Sequence, residues 1–347
     1  MKKSFCVLLS LLVVAMVAGC TTQSVENETV FVEDDTEIVD AAGNSSLIIT
    51  EHRPSIGLDA NETIAADINA LSFIDEGTSL PTTIPFFVNE FPYGHGGPLF
   101  HIDERTIDRS RKNIDGFLKI LYGRDVAPDL IVEHEYGRIY YDGFSETSIM
   151  SGPNHVSLFS SGHELVDNII NGNLLENRLV QYALEYMEIG DPEVTRRVIF
   201  NSINGEPDTY EYTIFERTND FFEDVINANF SSVTVTHFHG SQSAHILMMK
   251  HDISNLHSSD GPIVPFADAL EYVMITHGVE DRSRIHATIQ YASDVDVGYF
   301  VPVYKFYVEI ESPNIEFGSR GGGMYVIVRI PMPQTFHIAE MERSSEQ

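Results

Sequence analysis

Cysteine is nearly missing from this chain. Two occur in 347 residues, Cys6 and Cys20, and both lie within the first twenty. Beyond residue 20 the chain has no thiol. That body forms no disulfide and offers no thiolate to structural zinc, to copper or to an iron–sulfur cluster, and it has no thiol nucleophile. Its stability must come from a hydrophobic core. A composition that is 43% hydrophobic, with 21 Phe and 15 Tyr, supplies one for one or two domains.

Positive charge is the second scarcity. Against 52 Asp and Glu stand 21 Lys and Arg, a formal net charge of −31, and only six of the 21 are lysines. Nothing in this balance neutralises a phosphate backbone, so nucleic acid is excluded as a partner, and anionic headgroups repel the body. Strong acidity with few lysines suits a saline medium, where carboxylates hold a hydrated surface and salt screens their repulsion.

The start of the chain is apolar where the rest is charged. Lys2 and Lys3 precede an apolar run from Phe5 to Ala18. The run is shorter than the roughly 20 residues of a membrane-spanning helix and has the order of a secretory signal. It ends in Val17-Ala18-Gly19-Cys20, which resembles a bacterial or archaeal lipoprotein signal. The resemblance implies that residues 1–19 are removed. It also implies that Cys20 becomes the lipid-bearing N-terminus, carrying a palmitate-type chain at the extracytoplasmic face of the cell membrane.

Residues 20–46 follow as an acidic tether (Glu26, Glu28, Glu33, Asp34, Asp35, Glu37 and Asp40) with no basic residue. Such a segment repels itself and reads as extended and disordered, although Val30-Phe31-Val32 has the character of a short docking strand. Residues 47–170 form an N-terminal α+β region, residues 171–335 a second region, and residues 336–347 a polar tail. Helical spacing marks 105–122, closed by Gly123, and about 174–189, closed by Gly190-Asp191-Pro192. A third helix is capped by Asn219, and a fourth has Pro265 in its first turn and Gly278 as its stop.

Strands fall near 130–133, 138–141, 156–159, 194–201, 209–216, 232–239, 244–252, 284–291, 298–311 and 324–330. Asn204-Gly205 turns the hairpin of 194–201 and 209–216. From residue 174 the order is helix-strand-strand, twice, then helix-strand-strand-strand. The expected fold class is therefore α+β, an antiparallel sheet built from repeated helix-hairpin units with helices layered on one face.

The segment Tyr299-Phe300-Val301-Pro302-Val303-Tyr304-Lys305-Phe306-Tyr307-Val308 resembles the strand of PepSY-like domains and of related extracytoplasmic regulators of sensor histidine kinases. The likeness covers about residues 262–332. It implies a small helix-plus-sheet module that modulates a protein partner rather than catalysing a reaction. Pro302 inside a strand points to an edge or a bulge, where a partner segment docks.

The candidate chemistry lies in Thr236-His237-Phe238-His239-Gly240 and His245. His237 and His239 share a strand face by period-two alternation. A hairpin through 240–244 sets His245 opposite His239, three imidazoles for one zinc or copper ion. His-x-His-Gly also looks like one ligand motif of multicopper oxidases, whose cysteine-containing cluster this body lacks. His134-Glu135-Tyr136-Gly137-Arg138 has Arg138 where a zinc-protease helix needs its second histidine.

Tyr93-Gly94-His95-Gly96-Gly97 has no Gly-x-Ser-x-Gly elbow to serve, and the loop at Gly318–Gly323 leads into a strand rather than a helix. Phe86, Phe87, Phe91, Pro92 and Tyr93 form an aromatic stretch that either faces a ligand or folds over the core. The expected function is a lipid-anchored binding or regulatory protein, held to the membrane by its anchor and acting without a cofactor on a protein partner of the cell envelope. The alternative is a metal-dependent hydrolase or metal-binding protein using His237, His239 and His245.

Overall fold

Period-two alternation governs most of the chain beyond residue 60, and the backbone follows it. The computed structural model describes residues 36–38, 47–52, 62–75, 77–88, 104–123, 131–134, 137–142, 146–151, 155–161, 164, 168–169, 173–201, 204–251, 258–294, 299–311, 322–333 and 336–341. Its strands in chain order begin with β1 (Thr36–Ile38), β2 (Leu47–His52), β3 (Glu62–Ala70) and β4 (Thr83–Val88). Then come β5 (Ile131–His134), β6 (Gly137–Asp142), β7 (Thr147–Ser151), β8 (His155–Ser161), β9 (Pro192–Phe200) and β10 (Pro207–Glu216). The series closes with β11 (Ser231–Phe238), β12 (Ser243–Lys250), β13 (Ser258–Pro262), β14 (Ile285–Asp294), β15 (Tyr299–Ile310), β16 (Gly323–Pro331) and β17 (Phe336–Met341).

Four α-helices accompany them among the described residues: α1 (Glu104–Tyr122), α2 (Arg178–Met187), α3 (Phe221–Phe230) and α4 (Phe266–His277).

This architecture corrects the expected fold class. The molecule is dominated by one large antiparallel sheet and is not a chain of helix-hairpin units. Fourteen strands form that sheet in the order β13-β4-β15-β16-β3-β9-β10-β11-β12-β8-β7-β6-β5, with β14 paired to β15 off the path. Repeated units would set the strands of residues 192–331 side by side. Instead β3 enters between β16 and β9, and β5 to β8 extend the sheet beyond β12. Strands from both sides of residue 170 thus belong to one ladder. The physical reason is non-local: β3 exposes free N–H and C=O rows on both edges, and β16 and β9 satisfy them. A separate three-stranded sheet, β1-β2-β17, draws two of its strands from the segments 20–46 and 336–347.

The helices form where spacing placed them, with adjusted ends. Helix α1 buries Ile114, Phe117, Leu118 and Leu121 and stops at Gly123, whose φ of +66° suits glycine. A 3₁₀ turn, Leu174–Glu176, precedes α2, because the Asn177 side chain accepts the N–H groups of Leu179 and Val180 and starts a new helix there. Asp220, and not Asn219, caps α3: its carboxylate accepts Phe222 N–H at 2.7 Å and Glu223 N–H at 3.1 Å. Pro265 is the N-cap of α4, and Gly278 at φ +62° closes it.

Two cores result. In the first, α1 and α2 pack on β6, β7, β8, β11 and β12, with Phe117, Leu179, Val233, Val235 and Ile246 all essentially without exposure. In the second, α3 and α4 pack near β14 and β15, with Phe230, Val273, Tyr304 and Phe306 at its centre. Tyr304 donates its buried hydroxyl to the Val264 carbonyl at 2.9 Å, and burial pushes the phenol up to about 12. Phe86 and Phe87 lie in β4 and are buried, so this part of the aromatic stretch serves the core; Phe91 to Tyr93 lie outside the described residues.

Pro302 is buried inside the sheet, not at an open edge. Strand β15 keeps β14 along one side. Along its other side it pairs with β4 at Tyr299 and Phe300 and with β16 from Val303 onward. Pro302 stands at the changeover between those two partners, where no neighbour asks for its missing N–H. Its carbonyl accepts Met332 N–H at 2.9 Å.

Candidate functional site

The proposed histidine triad is separated by the register of one hairpin. Strand β11 pairs with β12 so that His237 faces Ala244, Thr236 faces His245, and Phe238 faces Ser243. The turn is therefore 239–242, with Gln242 at φ +49°. Side chains directly opposite one another in an antiparallel pair point to the same face, and neighbours along a strand point to opposite faces. His237 thus joins Val233 and Val235 on the face packed by α1 and α2, with only 5% exposure. His245 projects from the other face.

His239 lies past the end of β11 and is exposed; its N–H donates to the Asp208 carbonyl at 2.9 Å, and its ring lies 6.3 Å from that of Tyr210. The expectation that His245 sits opposite His239 is not met. Among the described residues no group of three or more His, Cys, Asp or Glu side chains is placed to hold a metal ion. Cys20, the expected lipid-attachment residue, lies outside the described residues. Among the described residues no helix is long and apolar enough to cross a membrane.

Other histidines share the face of His245. On β8, His155 stands opposite Met249, which alternates with His245 along β12. His251, just beyond β12, donates its backbone N–H to the Phe230 carbonyl at 2.8 Å, and its ring meets those of Phe230 and Phe300 edge-on. Burial holds all three imidazoles below their ordinary pKa, and the proximity of His155 lowers those of His245 and His251 further. They are neutral at pH 7 and favour staying so.

The same face carries a polar cluster that sequence reading did not single out. Register places Lys305 opposite Arg329, Tyr307 opposite Ile327, Ile327 opposite Glu62, and Arg197 opposite Glu211. From Glu211 the face runs on to Thr236 and His245. Arg197 contacts Glu211 through Nε at 2.7 Å and through a terminal nitrogen at 2.5 Å, and Arg329 contacts Glu62 at 3.1 Å. The positive charge of Arg197 acts on Tyr307 as well, lowering a phenol pKa that burial raises. Both carboxylates of the cluster are thereby engaged by guanidinium groups.

Lys305 is the exception. Its Nζ lies 5.3 Å from the centre of the Tyr307 ring and has no carboxylate ion pair among the described residues. Only 9% of the residue is exposed. Burial first, and then Arg197 and Arg329, push its pKa down to about 7 against the weaker pull of Glu62 and Glu211. The available signal was a charge on an otherwise apolar alternation: Val301, Val303 and Tyr307 share its face.

No protein-family model matches the chain, and no curated protein matches it. Among solved structures, an uncharacterized protein from Eubacterium rectale is similar at 10% identity, covering 76% of this chain and 86% of that one with a TM-score of 0.32. A likeness at that level carries no argument about fold or function.

Proposed function

We propose that this protein is lipid-anchored at the extracytoplasmic face of the cell membrane and acts there as a binding or regulatory protein on a protein partner. One observation carries the reading: a basic start, an apolar run too short to span, and Val17-Ala18-Gly19-Cys20 stand in the order that lipid attachment requires. The absence of any later cysteine supports it, since Cys20 then has no competing thiol role. A body with 52 acidic residues has little attraction to anionic headgroups, so the acyl chain has to do the anchoring. The resemblance of residues 262–332 to PepSY-like regulators supports a protein partner rather than a small substrate.

The metal-hydrolase alternative is not carried forward, because His237 and His245 project from opposite faces of the same hairpin. Detergent-phase partition and palmitate labelling test the anchor in the full chain. Wild-type protein is expected in the detergent phase with label, and Cys20→Ala in the aqueous phase without it. Wild-type protein that washes off membranes as readily as Cys20→Ala rejects the anchor. Crosslinking in native membranes that recovers no stable partner rejects the regulatory role.

A further inference from the structure

We propose that the ε-amine of Lys305, directly opposite Arg329 and on the sheet face that also carries Arg197, is a reactive amine that captures small aliphatic aldehydes as an imine. Four ionised groups surround this lysine, and the two carboxylates among them are already bound, Glu211 by Arg197 and Glu62 by Arg329. The ammonium form would then be a third cation beside two guanidinium groups, with 9% of its residue exposed to water. The neutral amine meets neither penalty. Its nitrogen lies 5.3 Å from the centre of the Tyr307 ring, and burial pushes the Tyr307 hydroxyl upward in pKa. A lysine desolvated beside other cations is the general recipe for an amine nucleophile at neutral pH, and the pKa of about 7 agrees with it.

The chemistry needs no partner outside the pair. The Nζ lone pair attacks the carbonyl carbon, forming a C–N bond while the carbonyl oxygen takes up the proton that nitrogen loses. The carbinolamine then expels that oxygen as water and leaves the C=N bond. One amine and one aldehyde give one imine and one water, with no change of oxidation state. With 9% of the residue exposed, the electrophile has to be small.

The chain provides its own reference for the test. Beyond Lys2 and Lys3 it has four lysines, and besides Lys305 these are Lys112, Lys119 and Lys250. Lys112 and Lys119 are exposed, and Lys250 pairs with Glu188 at 2.8 Å. The folded full chain is treated with deuterated formaldehyde and cyanoborohydride near neutral pH, and the reduced adducts are mapped by peptide mass spectrometry. Lys305 is expected to label at least about tenfold faster than the other three, because an ordinary lysine is almost wholly protonated there.

Raising the pH toward about 10 is expected to erase that preference as the others lose their protons. Arg329→Gln, which removes one neighbouring cation, is expected to slow Lys305 at neutral pH and leave the reference lysines unchanged. Labelling of Lys305 no faster than Lys112 in the folded chain, with the same peptide labelled normally in urea, overturns the proposal. A preference that does not change with pH overturns it as well.

Discussion

Replacing Lys305 with methionine should stabilise this protein, and only below the pH at which lysines normally ionise. In the unfolded chain the amine titrates near 10.5; in the fold it titrates at about 7. Between those values the unfolded state binds a proton that the folded state does not, so wild-type stability rises with pH across that window. Below about 7 both states are protonated and the burial penalty is complete. Above about 10.5 neither is, and the penalty is gone.

At about 1.4 kcal/mol per pKa unit, the penalty at pH 7 is about 4 kcal/mol. The residual exposure lets some water relax around the ammonium, which reduces that figure. The net expectation is a gain on the order of 2–3 kcal/mol for Lys305→Met at neutral pH, decaying to about zero near pH 10.5. The chain has no tryptophan, so urea unfolding is followed by far-ultraviolet circular dichroism. The difference between the two proteins is the quantity to plot against pH, because the repulsion among 52 carboxylates is common to both. A gain that is flat with pH, or a variant that is less stable at both ends, refutes the reasoning.

Two further outcomes follow from the same structure. His245 is held neutral by burial and by His155, so the unfolded chain takes up protons first as pH falls below about 6.5, and stability declines there. The variant His245→Gln should show a shallower decline of the urea midpoint between about pH 7 and pH 5 than wild type, and an equal slope would remove His245 from that account. The α3 cap gives a plainer case: Asp220→Ala leaves the Phe222 and Glu223 N–H groups without their acceptor and should cost about 1 kcal/mol, whereas Asn219→Ala should cost almost nothing. Equal losses for the two would move the cap back to Asn219.

Several local signals were read correctly, although the Asn219 cap and the helix start near residue 174 were not. The apolar spacing of Ile114, Phe117, Leu118 and Leu121 marks one helix face, and Gly123 and Gly278 end their helices because both take positive φ. Asn204-Gly205 turns the hairpin that pairs Arg197 with Glu211. The sheet order was not available in this way. Strand β3 buries Ala65, Ala66, Asp67 and Ile68, three of the four small or charged with little strand preference, and its neighbours β16 and β9 lie more than a hundred residues away in sequence. Without β3 the strands after residue 174 look like self-sufficient units, and the helix-hairpin reading follows.

The two site readings differ for a related reason. For the histidines, alternation placed His237 correctly beside Val233 and Val235, and the turn decided the rest. Pairing His239 with His245 requires a register three residues away from the observed one, in which Phe238 meets Ser243. Because the side-chain period is two, an odd slip carries a residue to the opposite face, and His245 leaves the triad altogether. For the lysine cluster, the Arg197–Glu211 pair is symmetric about the Asn204-Gly205 turn and so was within reach of the sequence. Glu62, Lys305 and Arg329 were not, since they meet only through the order β15-β16-β3-β9. The consequence is specific to Lys305: a lone charge on an apolar strand face is ambiguous until the owners of the nearby carboxylates are known, and here both carboxylates are held by arginines. Those two ion pairs are what turn a buried lysine from a member of a salt bridge into an amine with its lone pair available.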